Sequence, residues 1–145
     1  MPSRTAETHW TGNLNDGSGV VTLVSSGVGR YDVSFPRRAA DDADGVTSPE
    51  ELIAAAHSAC YAMQFSALIG LAGGTPVTLD VSATVTLSPD PAGGFQISGI
   101  ALTARGVVEG MDEATFVETA EAAKAGCPVS KALTGTTITL DAAFA

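Results

Sequence analysis

Three short strand-like runs of residues, separated by turn residues, occupy the first third of the chain. They cover residues 8–14, 20–26 and 30–35, contain β-branched or aromatic residues, and are bounded by Gly or Asn turns and by Pro36. Short runs of this composition between turn residues are typical of β-strands. The first third therefore predicts three β-strands.

The pattern changes at Ser48, where a long apolar segment begins. Ser48 suits the N-cap, Pro49 the first helical position and Glu51 the third, so Ser48 and Glu51 can form a capping box. The segment predicts a helix over residues 49–72 with Gly73 as its stop. It is long enough to span a bilayer, but its polar side chains and the strand-like segments on both sides favour a buried core helix.

The rest of the chain adds strands and helices in separate blocks. The pattern predicts a hairpin over residues 77–88 and 95–108, and then a helix over 113–125 that Asp112 caps. A short helical turn over 127–133 and a last strand over 136–144 follow. Segregated strands and helices predict an α+β fold, and residues 1–145 are expected to form a single domain. The long helix is too apolar for one small sheet to cover, so we expect an intertwined homodimer in which two such helices pack together.

The composition is that of a folded, acidic domain. Of 145 residues, 45% are hydrophobic and 16% charged, and the formal net charge is -9. Such a chain is repelled by nucleic acid and by anionic membrane surfaces, so neither is an expected partner. Residues 1–10 lack the layout of a secretory signal, which predicts a reducing, cytoplasmic location. The two cysteines are then reactive thiols or buried fillers rather than a structural disulfide.

Cys60 and Cys127 are the candidate reactive groups. A thiolate can attack a peroxide and become a sulfenic acid, a nearby cation can hold the developing negative charge, and a second thiol can condense with the sulfenic acid. Cys127 opens a helical turn, which lowers a thiol pKa, whereas burial in mid-helix raises the pKa of Cys60. The residues alone leave open which thiol attacks.

Arg37 and Arg38 are candidate cations, two of only seven basic residues. Glu50 lies ten residues before Cys60, a helical rotation of about 280° and a rise of about 15 Å, so it cannot touch Cys60 directly. It can instead pair with an arginine and aim the guanidinium at the sulfur. Either arginine fits this role.

Three segments resemble the OsmC/Ohr family. Residues 47–60 read Thr-Ser-Pro-Glu-Glu-Leu-Ile-Ala-Ala-Ala-His-Ser-Ala-Cys, and residues 125–130 read Ala-Gly-Cys-Pro-Val-Ser. The His-Ser-Ala-Cys ending and the opening His-Trp-Thr-Gly at residues 9–12 resemble the OsmC branch more than the Ohr branch. The resemblance covers essentially the whole chain, in order.

The resemblance implies an OsmC-like fold, with antiparallel sheets packed around a long buried central helix, and peroxidase sites at the interface of an intertwined homodimer. It implies that Cys60 attacks the peroxide, Cys127 resolves the sulfenic acid, and Arg38, from a Phe-x-x-Arg pattern, pairs with Glu50. The implied reaction is antioxidant reduction of organic hydroperoxides, and more weakly of hydrogen peroxide, through a Cys60–Cys127 disulfide. An external dithiol, of lipoyl type, is the implied reductant.

No cofactor is expected. No metal is expected either, because the paired Cys-x-x-Cys spacing of structural zinc sites is absent. His57 fits a hydrogen-bonded core residue better than a ligand. The substrate pocket is expected beside the long helix, lined by residues such as Ile53, Met63 or Phe65. The same fold can serve as a non-catalytic binding dimer for an apolar ligand, or as a thiol redox sensor.

Overall fold

The computed structural model describes all 145 residues and divides into two compact units, residues 1–52 and 53–145. Its mixture of helices with two three-stranded sheets confirms the predicted α+β class. The long helix α2 (Pro49–Leu71) starts in the first unit and continues in the second. The assignment of residues 1–145 to a single domain stays a prediction.

The first unit contains an antiparallel three-stranded meander and a short helix. These elements are β1 (Glu7–Thr11), β2 (Ser18–Thr22), β3 (Arg30–Val33) and α1 (Phe35–Arg38). The third strand ends two residues earlier than predicted because Ser34 caps α1, a helix that the sequence pattern did not reveal. The Ser34 hydroxyl accepts a hydrogen bond from the Arg37 N–H at 3.4 Å, and a proline lies at the start of α1.

Helix α2 begins where its N-cap signal predicts. The Ser48 hydroxyl accepts a hydrogen bond from the Glu51 N–H at 3.2 Å, which is the first half of the predicted capping box. The Glu51 carboxylate accepts its own hydrogen bond from the Thr47 hydroxyl. The helix ends at Leu71, and Gly73 follows with a φ of 88°, a conformation that glycine adopts without strain.

The second unit is built on a long hairpin with one added strand. Strands β4 (Thr75–Pro89) and β5 (Phe95–Glu109) pair antiparallel, as predicted, whereas β6 (Ile138–Phe144) lies parallel to β5. Strand β6 is thus a parallel addition to the antiparallel sheets that the family resemblance implied. Helices α3 (Glu113–Gly126) and α4 (Pro128–Ala132) connect β5 to β6, and a crossover of this length is what a parallel pair requires.

The core of the second unit forms around one face of α2. His57, Tyr61, Phe65 and Ile69 recur every four residues along that face and are each 0% exposed, as helical periodicity requires. Tyr61, Phe65 and Ile69 lie in one hydrophobic cluster with residues of α3 and of the sheet, and His57 is outside this cluster. By length and composition α2 could also cross a membrane, a test that core helices of soluble proteins pass as well.

Phe116 joins α3 to this core, and its removal tests the packing. Its ring is 0% exposed and lies 5.0 Å from the ring of Phe65 and 4.9 Å from that of Phe144. Phe116→Ala should lower the free energy of unfolding in urea by about 3–5 kcal/mol. Val117→Ala, at a neighbouring position that is 39% exposed, should cost less than about 1 kcal/mol; equal losses would refute this account of the core.

Candidate active site

The structure brings the two predicted thiols together. Cys60 lies in the middle of α2, and Cys127 links α3 to α4. Both are free thiols, and their sulfur atoms lie 3.2 Å apart, so that either thiol can donate a hydrogen bond to the other. A disulfide requires a sulfur separation of about 2.05 Å, so only a small closure would join them.

The surroundings of the two sulfurs differ in electrostatic character. Burial raises the pKa of Cys60, and the neighbouring Cys127 raises it further, against an opposing effect of the Val129 N–H. Burial also acts to raise the pKa of Cys127, but the nearby donor groups favour the thiolate and lower this pKa overall; they are the Ser130 N–H, the Cys60 thiol, the Ser130 hydroxyl and the Val129 N–H. These are the directions that the sequence predicted, and within residues 53–145 they favour the thiolate on Cys127.

Arg38 and Glu50 form a closed ion pair within the first unit. Arg38 Nε lies 3.2 and 3.1 Å from the two Glu50 carboxylate oxygens, and a terminal guanidinium nitrogen donates to Oε1 at 2.7 Å. Burial acts to raise the pKa of Glu50, but the bonds from Arg38 hold it below its usual value. Glu50 also raises the pKa of Arg38. Both groups therefore stay charged. The two parallel hydrogen bonds also fix the orientation of the guanidinium plane relative to the carboxylate.

Arg37 takes a different partner. It bonds Asp44 at 2.7 Å, and both side chains are largely exposed, at 43% and 64%, compared with 32% and 10% for Arg38 and Glu50. A solvated pair of this kind contributes little to stability and little to the field in a site. Of the two candidate arginines, Arg38 is thus the one that Glu50 holds in place.

An apolar cavity of about 390 Å³ adjoins Arg38 within residues 1–52. It is lined by side chains of the meander, of α1 and of the start of α2, namely Thr8, Trp10, Leu14, Val21, Val33, Ser34, Phe35, Arg38, Pro49 and Leu52. The sequence predicted a pocket lined by residues such as Ile53, Met63 or Phe65, and none of these residues lines this cavity. Phe65 lies in the core, and Met63 lines a separate groove beside β4, because the two residues are on different faces of α2.

Ser130 is a site residue that the sequence did not single out. Its hydroxyl lies 2.7 Å from Nε2 of His57, and the two residues are 5% and 0% exposed. His57 is therefore the hydrogen-bonded core residue that the sequence favoured. The one signal for Ser130 was its place three residues after Cys127. No three His, Cys, Asp or Glu side chains lie close enough together to hold a metal ion.

The amino-acid sequence of this chain is similar to those of known proteins. The family model for OsmC-like proteins matches residues 41–141. Peroxiredoxin OsmC of Escherichia coli is 42% identical over 135 residues, which are 93% of this chain and 92% of that protein.

Solved structures show the same architecture. An organic hydroperoxide resistance protein OsmC from Legionella pneumophila superposes with a TM-score of 0.79 at 25% identity, over 99% of this chain and 98% of its own. The organic hydroperoxide resistance protein OhrB of Bacillus subtilis gives 0.75 at 28% identity, over 95% and 97%. The OsmC-like fold that the sequence motifs implied is confirmed.

Proposed function

Because this chain belongs to the OsmC-like protein family and is a thiol-dependent peroxidase, we propose that it reduces organic hydroperoxides to alcohols with Cys60 and Cys127. The observation that carries the proposal is the 3.2 Å approach of the two free sulfurs. Two thiols so close can alternate between a dithiol and a disulfide without a large movement of either chain segment.

The proposed cycle uses one oxidation and one reduction. The Cys60 thiolate attacks the terminal oxygen of the hydroperoxide; the O–O bond breaks, the alkoxide takes up a proton and leaves as the alcohol, and Cys60 becomes a sulfenic acid. The Cys127 thiolate then attacks the Cys60 sulfur, the S–O bond breaks and water leaves. An external dithiol, such as a reduced (dihydrolipoyl) group in the cytoplasm, reduces the disulfide by two thiol exchanges and is itself oxidised to a disulfide.

The Arg38–Glu50 pair has the charge that this cycle needs. Burial and the neighbouring Cys127 disfavour a thiolate on Cys60, so attack by Cys60 requires a cation that compensates for both effects. We assign that role to Arg38, which also stabilises the departing alkoxide, and we assign to Glu50 the orientation of the guanidinium. The bidentate geometry within the pair supports this assignment.

Intact-mass spectrometry tests the proposed chemistry directly. Reduced protein treated with one equivalent of tert-butyl hydroperoxide should lose about 2 Da within seconds, as two thiols become one disulfide. Addition of dihydrolipoamide should restore the original mass. Protein that stays fully reduced for minutes would contradict the proposed function and favour the non-catalytic binding dimer.

The apolar cavity predicts a preference for bulky peroxides. Burying each methylene contributes about 0.8 kcal/mol, so a substrate with four or more carbons should have a kcat/KM at least about tenfold above that of hydrogen peroxide. Trp10→Ala, which removes one wall of the cavity, should reduce this ratio. His9→Ala is the matched control, because His9 lies on the opposite face of β1 and is absent from the lining. A preference of the wild type for hydrogen peroxide would refute the assignment.

Helix α2 also supports a homodimer. In one chain it exposes a stripe of small or apolar residues at helical spacing, made of Ala56, Ala59, Met63, Ala67 and Gly70. Water contact along such a stripe is unfavourable, and small residues allow a second helix to approach closely. Light scattering after gel filtration should give twice the chain mass, and Ala67→Glu should shift the protein towards monomer. A wild-type monomer at micromolar concentration would contradict the proposal.

A further inference from the structure

A buried hydrogen bond connects the two segments that carry the cysteines. His57 lies three residues before Cys60 on α2, and Ser130 lies three residues after Cys127 on α4. Nε2 of His57 and the Ser130 hydroxyl are 2.7 Å apart. Both residues are more than nine-tenths buried, at 0% and 5% exposed. The peroxide chemistry described above makes no use of this pair.

The other ring nitrogen decides how the pair is protonated. Nδ1 of His57 is buried and has no hydrogen-bond partner. A buried N–H without a partner is rarer in proteins than a buried acceptor without one, so the proton belongs on Nε2. His57 then donates to the Ser130 oxygen, and the hydrogen of the serine hydroxyl is free for another acceptor. Burial also lowers the pKa of His57, which keeps the ring neutral and this tautomer available.

The sulfur of Cys127 is the candidate acceptor for the free hydrogen of Ser130, because Cys127 immediately precedes α4 and Ser130 lies three residues on, within one helical turn. The serine hydroxyl and N–H are both among the groups that favour the Cys127 thiolate over the thiol. The titratable groups that face Cys127 are Cys60 and Tyr61. Burial raises the pKa of Tyr61 far above neutrality, so that Tyr61 carries no charge.

We propose that His57 and Ser130 serve the resolving thiol: Nε2–H of His57 fixes the Ser130 hydroxyl, which donates its hydrogen bond to the sulfur of Cys127. Ser130 thus contacts a reacting atom, and His57 is a positioning residue that acts through it. The inference rests on the proposed function, because it assigns the pair to one step of that cycle.

The step itself shows why this donor matters. When the Cys127 thiolate attacks the sulfenic acid of Cys60, the new S–S bond forms, the S–O bond breaks and the hydroxide leaves with a proton as water. The serine donor favours the thiolate that starts this step. In the reductive half, an external thiolate that attacks the Cys60 sulfur expels Cys127 as a thiolate, and the same donor receives it. The initial attack of Cys60 on peroxide does not use the pair.

The first test measures Cys127 alone. In a Cys60→Ser background, the ultraviolet absorbance of the thiolate reports the titration of Cys127 without any peroxide chemistry. Adding Ser130→Ala should raise the pKa of Cys127 by about one pH unit, the size expected for a lost hydrogen bond to an anion. Ser130→Thr keeps the hydroxyl and should leave this pKa close to its original value. His57→Phe should raise it, and His57→Gln, which retains a side-chain N–H donor, should restore part of the loss.

The second test separates the steps of the cycle. In single turnovers with tert-butyl hydroperoxide, Ser130→Ala should form the Cys60 sulfenic acid at the wild-type rate. Disulfide formation should slow about threefold, because a tenfold smaller thiolate fraction is partly offset by the greater nucleophilicity of a more basic thiolate. Ser58→Ala is the matched control, since the Ser58 hydroxyl bonds only the Ala55 carbonyl of its own helix; it should change neither step.

The outcomes distinguish this inference from the proposed function. If wild type forms the disulfide and Ser130→Ala changes neither the pKa of Cys127 nor the rate of disulfide formation, the inference is wrong and the peroxidase cycle stands. If Ser130→Ala and Ser130→Thr slow both steps alike, the pair is merely structural and the inference is also wrong. If wild type forms no disulfide, the proposed function fails, while the titration of Cys127 still decides whether Ser130 and His57 act on its sulfur.

Discussion

Cys60→Ser should reduce the rate of peroxide reduction by about 1,000-fold or more, the largest effect that we expect from any single substitution. A serine hydroxyl does not ionise near neutral pH and cannot form a sulfenic acid. Because the Cys60 side chain is small and only partly buried, the fold should survive the exchange of sulfur for oxygen. Stopped-flow consumption of tert-butyl hydroperoxide by the reduced variant measures the loss.

Cys127→Ser is the matched control for this experiment. It should react with one equivalent of peroxide at a rate near that of wild type, but it should stop at the sulfenic acid and gain about 16 Da. Repeated turnover with a dithiol should then be slow, and excess peroxide should over-oxidise Cys60. Within residues 53–145, Cys127 is the thiol whose pKa is lowered, so it is the alternative candidate for the attacking thiol. If Cys60→Ser reacts and Cys127→Ser does not, the roles of the two thiols are reversed.

Arg38→Met should lower the rate of sulfenic acid formation by about 100- to 1,000-fold, the usual cost of losing one preorganised stabiliser of developing charge. The substitution leaves the buried Glu50 carboxylate without its cation, which raises the pKa of Glu50 and destabilises the fold. The double variant Arg38→Met, Glu50→Gln removes that complication and should show the same kinetic loss. Arg38→Lys should recover only part of the rate, because an ammonium cannot reproduce the bidentate fork.

Arg37→Met is the internal control for Arg38. It removes an equal charge from the adjacent residue, but it breaks only the exposed bond to Asp44. Its rate should stay within about twofold of wild type, since solvated charges interact weakly. A large loss in Arg37→Met with little change in Arg38→Met would show that the wrong arginine has been assigned.

Local signals predicted most elements of the fold. The cap at Ser48, the proline at residue 49 and the stop at Gly73 located α2 almost to the residue. Each of these signals acts through atoms that are at most a few residues apart along the chain, so the sequence contains the whole of the interaction. The short helix α1 was missed because the alternation of the preceding strand runs into it, and only the Ser34 cap marks its start.

Sheet pairing was harder to predict. The sequence located β6 as a strand, yet its parallel alignment with β5 depends on the path of α3 and α4 between them. A strand carries the same alternation whether its neighbour is parallel or antiparallel. The packing of the connecting helices against the sheet decides where two long segments meet. No short stretch of sequence describes that packing.

The sequence by itself determined the long helix, the hairpin, the helical segments after the hairpin, the two candidate thiols and, through its motifs, the family. Only the tertiary structure decided that the sulfurs of residues 60 and 127 lie 3.2 Å apart, that Glu50 selects Arg38 over Arg37, and that His57 meets Ser130. The physical reason is distance along the chain. Helix caps and turns are formed by near neighbours, whereas the partners in these long-range contacts are brought together by burial of the core as a whole.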